Sequence, residues 1–125
     1  MATQRTRAPM IKIKRVYDKP DTNDGVRILV DRLWPRGISK QAARIDHWLK
    51  DVAPTPALRQ WFSHDPTKFQ EFKQAYLGEL REKKTILNDI KQLAKQHGVV
   101  SLLYAAKDPQ CNNAVVLRDY LKRVS

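Results

Sequence analysis

The chain has 125 residues, 42% of them hydrophobic and 30% charged. That suits one packed domain and excludes both a two-lobed enzyme and a disordered polymer. Its 24 basic and 13 acidic residues leave a formal net charge of +11, a field that draws phosphates and acidic partners, and its single cysteine, Cys111, excludes an internal disulfide framework.

Residues 1–9 carry two arginines and no acid, and no apolar run follows as a secretory signal requires. They are expected to form a flexible tail before a single α/β domain over residues 10–125. Ile11-Lys-Ile-Lys-Arg-Val16 alternates apolar and basic residues, the period of a half-exposed strand. Asp18 to Gly25 holds Pro20, Asn23 and Asp24, which is turn chemistry. Val26-Arg-Ile-Leu-Val30 predicts a second, more buried strand. A link of about ten residues is short for a parallel crossover, so an antiparallel or splayed pairing of the two strands is expected.

Trp34-Pro35-Arg36-Gly37 breaks that strand, and Ser39 is expected to cap a helix reaching Leu49, with Ile45, Trp48 and Leu49 facing inward. Thr55-Pro56 starts a short helix that ends near Phe62. Asp65-Pro66 repeats that signature ahead of a helix carrying Phe69, Phe72, Tyr76 and Leu80 at helical spacing. A further helix runs from about Thr85 to Gln96, and Gly98 stops it. Val99-Val-Ser-Leu-Leu-Tyr104 is a nearly unbroken apolar run, the mark of a central strand covered on both faces. Asn112 or Asn113 caps a last helix whose stripe is Leu117, Tyr120, Leu121 and Val124. The expected architecture is α/β: a short, mostly parallel sheet of about three strands under about five helices, with the last strand central and parallel to the second.

In such sheets, ligands gather at the carboxyl ends of strands and at helix N-termini. Two loops are expected there, Asp31 to Gly37 and Ala105 to Asn113. In the first, Arg32 and Arg36 offer forked donors for phosphate or carboxylate, and Trp34 offers a flat face for a base or sugar. The second adds Lys107 and the amides of Asn112 and Asn113. Bland roles compete: Asp31 pairing with Arg32 or Lys107, Trp34 as a core plug, an Asn as a cap. If a reaction occurs, Asp31 or Asp108 is the acid–base candidate, with Tyr17 or Tyr104 as helper. Arg59 and His64 are secondary candidates, although Asp65 beside His64 is explained by capping. A helix N-terminus and Lys107 would lower the Cys111 pKa, but no histidine lies nearby in sequence to act as its base. His47, His64 and His97 lack metal-ligand spacing. No phosphate-loop or Gly-x-Gly-x-x-Gly signature occurs, and no cofactor is indicated. No segment approaches the roughly 18 apolar residues of a membrane span.

Arg15-Val-Tyr-Asp18, Asp31-Arg-Leu-Trp-Pro-Arg-Gly37, Leu58-Arg-Gln-Trp-Phe62 with His64-Asp-Pro66, and Leu102-Leu-Tyr-Ala-Ala-Lys-Asp108 with Asn112-Asn-Ala114 resemble the YeaO-like family of uncharacterised bacterial proteins, domain of unknown function 488. The resemblance covers about residues 10–123. It implies a small cytoplasmic α/β domain with no settled activity, some of whose relatives carry a transcription-regulator label. Longer members have an Asp-Val-Arg string after an early strand and a Cys-His-Arg string after a late one. Asp31-Arg32 and Cys111-Asn112-Asn113 stand at the similar places here, without the second string's His and Arg, which argues against carrying over Cys-His chemistry.

Three readings compete. The first is a cytoplasmic binder of a phosphorylated or nucleotide-like anion in a basic, aromatic pocket, with or without catalysis. The second is a nucleic-acid-binding or regulatory module with a basic surface. The third is a scaffold docking an acidic protein through Trp34 and Trp61. A concave basic pocket favours the first, a flat basic stripe the second, and an exposed apolar patch the third.

Overall fold

The computed structural model describes residues 9–123, so the expected tail, but for Pro9, and Val124 lie outside the described residues. Four strands, β1 (Met10–Arg15), β2 (Val26–Leu29), β3 (His47–Trp48) and β4 (Val99–Tyr104), form one sheet in the order β1-β4-β2-β3, with every pairing parallel. Five helices accompany them: α1 (Lys40–Ala43), α2 (Pro56–Phe62), α3 (Phe69–Leu80), α4 (Lys84–His97) and α5 (Asn113–Arg123). The chain is a small α/β domain with one strand more than expected.

The central strand is the apolar run. β4 pairs Leu102 with Ile13 on one side and with Ile28 on the other. Its side chains alternate. Val100, Leu102 and Tyr104 join Ile28 and Val30 in the main core beneath α3, α4 and α5, where Phe72, Tyr76, Leu80, Ile90 and Leu117 are buried. Leu103 points to the opposite face, with Leu29, Val16, Ala43 and Ile45, against half-buried Trp34 and Ile38. One face thus carries α2 to α5 and the other a thin cover from α1 and the loops.

That second face also buries charge. Asp24 (4% exposed) pairs with Arg27 (3%) and with Lys14. Arg27 Nε donates to the Ala43 carbonyl at 2.9 Å, and the Ser101 hydroxyl donates to the Asp24 carbonyl at 2.7 Å. Burial pushes the Asp24 carboxyl up, but hydrogen bonds from the Asp21 N–H, Lys14 and Arg27 outweigh it and hold the group below its ordinary value.

Two expectations are corrected. β1 and β2 neither pair nor run antiparallel; β4 lies between them, parallel to both. Ten residues can reach about 33 Å when extended, and the link returns the chain along a six-residue strand with no more than a 3-10 turn at Thr22–Asp24. The helix begun at Ser39 is one turn long. The Ser39 hydroxyl accepts the Ala42 N–H at 3.1 Å, and Arg44 then turns left-handed at φ 52°. The following residues become edge strand β3. Asp46 N–H donates to the Arg27 carbonyl, the Asp46 carboxylate accepts the Arg27 N–H (2.9 Å each), and Leu49 N–H donates to the Leu29 carbonyl at 3.0 Å. Ile45 is buried, but Trp48 lies 38% exposed on this edge.

Candidate functional site

Parallel strands put all their carboxyl ends on one edge of the sheet, so the loops after β2 and β4 emerge side by side. Asp31 joins them. Its carboxylate accepts the Ala105 N–H at 2.9 Å through Oδ2 and the Asn113 amide at 3.1 Å through Oδ1. The Asn113 amide also donates to the Val30 carbonyl at 3.2 Å. Burial pushes the Asp31 carboxyl above the usual range, against the pull of those two donors and of the His64 and Arg59 charges. Neither Arg32 nor Lys107 is the partner weighed from the sequence.

Beside Asp31 opens a cavity of about 580 Å³, within the range of roughly 300–1,000 Å³ typical of small-molecule sites. Its rim holds Arg36 and Lys107, both exposed, and Tyr17, whose hydroxyl donates to the Arg36 carbonyl at 2.9 Å. Among the described residues, neither the Arg36 nor the Lys107 side chain makes a hydrogen bond or ion pair. The opposite wall comes from the β3-to-β4 connection: Ala53, Pro54, Arg59, Phe62, His64 and Phe72. Phe62 and Phe72 stack at 4.2 Å between centroids. Ser63 closes α2 as its left-handed C-cap at φ 47°, its N–H donating to the Arg59 carbonyl, and His64 follows at φ 58°.

The other candidates divide. Arg32 lines the cavity but spends its guanidinium on the Pro54 and Ala53 carbonyls at 3.3 Å, fastening the two walls together. Trp34 lines it too, its Nε1–H held by the Ile38 carbonyl at 2.7 Å and its ring set edge-on to Trp48 at 5.2 Å. Asn112 is 1% exposed and caps α5: its Oδ1 accepts the Val115 N–H at 3.0 Å, and its amide donates to the Asp108 carbonyl at 2.8 Å. Asp65 caps the turn before α3 by accepting the Thr67 N–H, as capping predicts.

Three candidates sit in surroundings that do not favour the roles weighed for them. Asp108 lines the cavity, but its Oδ1 accepts the Gln110 and Cys111 N–H groups, which hold its carboxyl low, the wrong direction for an acid–base group near neutrality. The Cys111 thiol is pushed up, by burial first and then by the Asp108 charge, not lowered by the helix end and Lys107. Tyr104 is 4% exposed, lies outside the cavity lining, and is pushed up by burial. Phe62, Phe72, Ala53 and Pro54 were missed as wall residues. Their apolar spacing signals core, and only the tertiary fold turns one side of them to the cavity. Among the described residues no group of three His, Cys, Asp or Glu is placed to hold a metal, and no helix is long and apolar enough to cross a membrane.

The molecule is thus a small parallel α/β domain whose strand ends frame one basic, aromatic-walled cavity. Comparison with known proteins makes the assignment specific: the chain belongs to the family described as the inactive DUF488-N3 subclade, whose model matches residues 10–124. It is 41% identical over 112 residues to the uncharacterised protein YeaO of Escherichia coli strain K12, covering 90% of this chain and 96% of that one. It is 38% identical over 115 residues to the uncharacterised proteins Mb3100c of Mycobacterium bovis and Rv3073c of Mycobacterium tuberculosis, covering 92% of this chain and 96% of each. No solved structure matches significantly.

Proposed function

We propose that the domain binds a phosphorylated or nucleotide-like anion in this cavity and does so without nucleophilic catalysis. The carrying observation is that Arg36 and Lys107, from two distant loops, stand at one concave mouth with no carboxylate of the described chain claiming either. Cations left unpaired beside an apolar wall suit an anion attached to a flat or apolar body. The absence of a nucleophilic step is supported by the raised Cys111 thiol and by the family's description as inactive.

The test is titration with inorganic phosphate and nucleoside 5′-monophosphates, followed by amide chemical shifts. Arg36→Ala and Lys107→Ala should each weaken binding about tenfold, with thermal midpoints close to that of the parent because both side chains are exposed. Unfolding of Arg36→Ala would instead mark the arginine as structural. Absence of any shift around the cavity at millimolar ligand would end the proposal. The net charge of +11 favours one competitor, a nucleic-acid surface. Oligonucleotide binding at ~50 mM salt that weakens steeply with added salt would select it.

A further inference from the structure

We infer that Asp31 is the group by which the cavity selects its ligand, accepting paired N–H donors from a planar, nitrogen-bearing ring whose anionic end meets Arg36 and Lys107. The inference rests on the anion-binding reading above and deepens it. A carboxylate oxygen accepts two hydrogen bonds. Oδ1 of Asp31 receives one, from Asn113, and Oδ2 one, from Ala105. Each keeps acceptor capacity, and the residue lines the cavity. No cation of the described chain forms an ion pair with it: Arg32 is spent on carbonyls 53 and 54, and Arg59 and His64, in the same lining, act on it only through space.

The site therefore carries both signs: exposed Arg36 and Lys107, a half-buried Asp31 carboxylate, and the Phe62–Phe72 stack with Trp34 as walls. A purely anionic ligand satisfies only the mouth. A ligand with an anion at one end and two adjacent N–H groups at the other satisfies both, and its ring fits the apolar walls. Burial already pushes the Asp31 carboxyl upward, so a donor pair supplied by the ligand relieves a charge that the protein leaves short of solvent. Among common nucleotides the guanine edge, with adjacent N1–H and N2–H, has that shape. Purine riboside 5′-monophosphate keeps the ring and phosphate and has no N–H on the base.

Titration of the whole chain with guanosine 5′-monophosphate and with purine riboside 5′-monophosphate decides it. Guanosine 5′-monophosphate should bind at least tenfold tighter, and it alone should shift the side-chain carboxyl carbon resonance of Asp31. Asp31→Asn should close the gap by weakening the guanine nucleotide. Should that variant unfold, the carboxyl resonance of the parent protein still decides. Equal binding of the two probes, an unmoved Asp31 resonance, or a gap that persists in a folded Asp31→Asn overturns this inference and leaves the anion site standing. Failure of both probes and of phosphate to bind removes the anion site and this inference with it.

Discussion

The Asp31 carboxylate and the Ala105 N–H, 2.9 Å apart, tie the carboxyl end of β2 to that of β4 at the point where the cavity opens. Asn113, in the first turn of α5, completes the clasp by donating to Asp31 and to the Val30 carbonyl. Asn113→Ala removes both donations and should destabilise the fold by about 1–3 kcal/mol. The loss should grow with pH. A carboxyl raised above its ordinary pKa of 3.8 stabilises the fold fully below that value and less as pH rises through the folded one. Without Asn113 the folded value rises further, so urea denaturation should show a larger difference from the parent at pH 7 than at pH 4. An equal difference at both would mean that Asn113 does not touch the ionised form of Asp31.

The strands were legible because each has a local signature: alternation in β1 and an apolar run in β4. Their order was not, because β4 slots between β1 and β2 through pairings such as Ile13 with Leu102, distant in sequence. A ten-residue link reads as a hairpin when the slot beside it is unknown. β3 was hidden for a related reason. Ile45, Trp48 and Leu49 stand at helical spacing, but bonds between Asp46 and Arg27, 19 residues apart, pull that segment straight. The two loops of the site were legible because ligand sites follow strand ends. Their division of labour was not, since the tethering of Arg32 to residues 53 and 54 depends on a wall placed by the fold.

Cys111 should behave as an unreactive thiol. Burial and the nearby Asp108 charge both disfavour the thiolate, and the thiolate is the nucleophile. Alkylation by iodoacetamide at pH 7 should be slower than that of a free cysteine and should accelerate as pH rises past the ordinary thiol value of 9.0. Asp108→Asn keeps an oxygen for the Gln110 and Cys111 N–H groups and removes the charge, so its alkylation should be several-fold faster at pH 7. A rate matching that of an activated thiol would reopen a catalytic role.

Asp24 holds a charge network under the sheet. Asp24→Ala leaves Arg27, 3% exposed, without its carboxylate, while its Nη2 already lacks a partner among the described residues. Breaking a buried pair from one side costs about 3–5 kcal/mol. Replacing both members by apolar residues, Asp24→Ala with Arg27→Met, should recover much of it. The pH dependence runs opposite to that of Asp31. Because the Asp24 carboxyl is held below 3.8, its contribution is present above that pH and lost on acidification through the folded value. A double variant no more stable than Asp24→Ala alone would show that Arg27 is satisfied without Asp24.

Gly25 permits the entry into β2. Its φ is +65° and ψ −141°, and a Cβ there would collide with the Val99 carbonyl oxygen, a backbone atom of the central strand that cannot rotate aside. Gly98 also has a positive φ, +84°, but a Cβ there would meet nothing within 4 Å. Both positions carry a backbone penalty, with ψ −141° at Gly25 and −33° at Gly98, and Gly25 alone of the two adds a collision. Gly98→Ala meets only the backbone penalty of a non-glycine residue at φ +84° and ψ −33°, about 1–3 kcal/mol. Gly25→Ala adds displacement of β4 from its register against β2 and should lose at least twice as much stability. Loosening should appear first at the Val26–Val100 pairing, as faster amide hydrogen exchange there than in α3. Comparable losses for the two alanine variants would place the cost of Gly25→Ala in the dihedral angle alone.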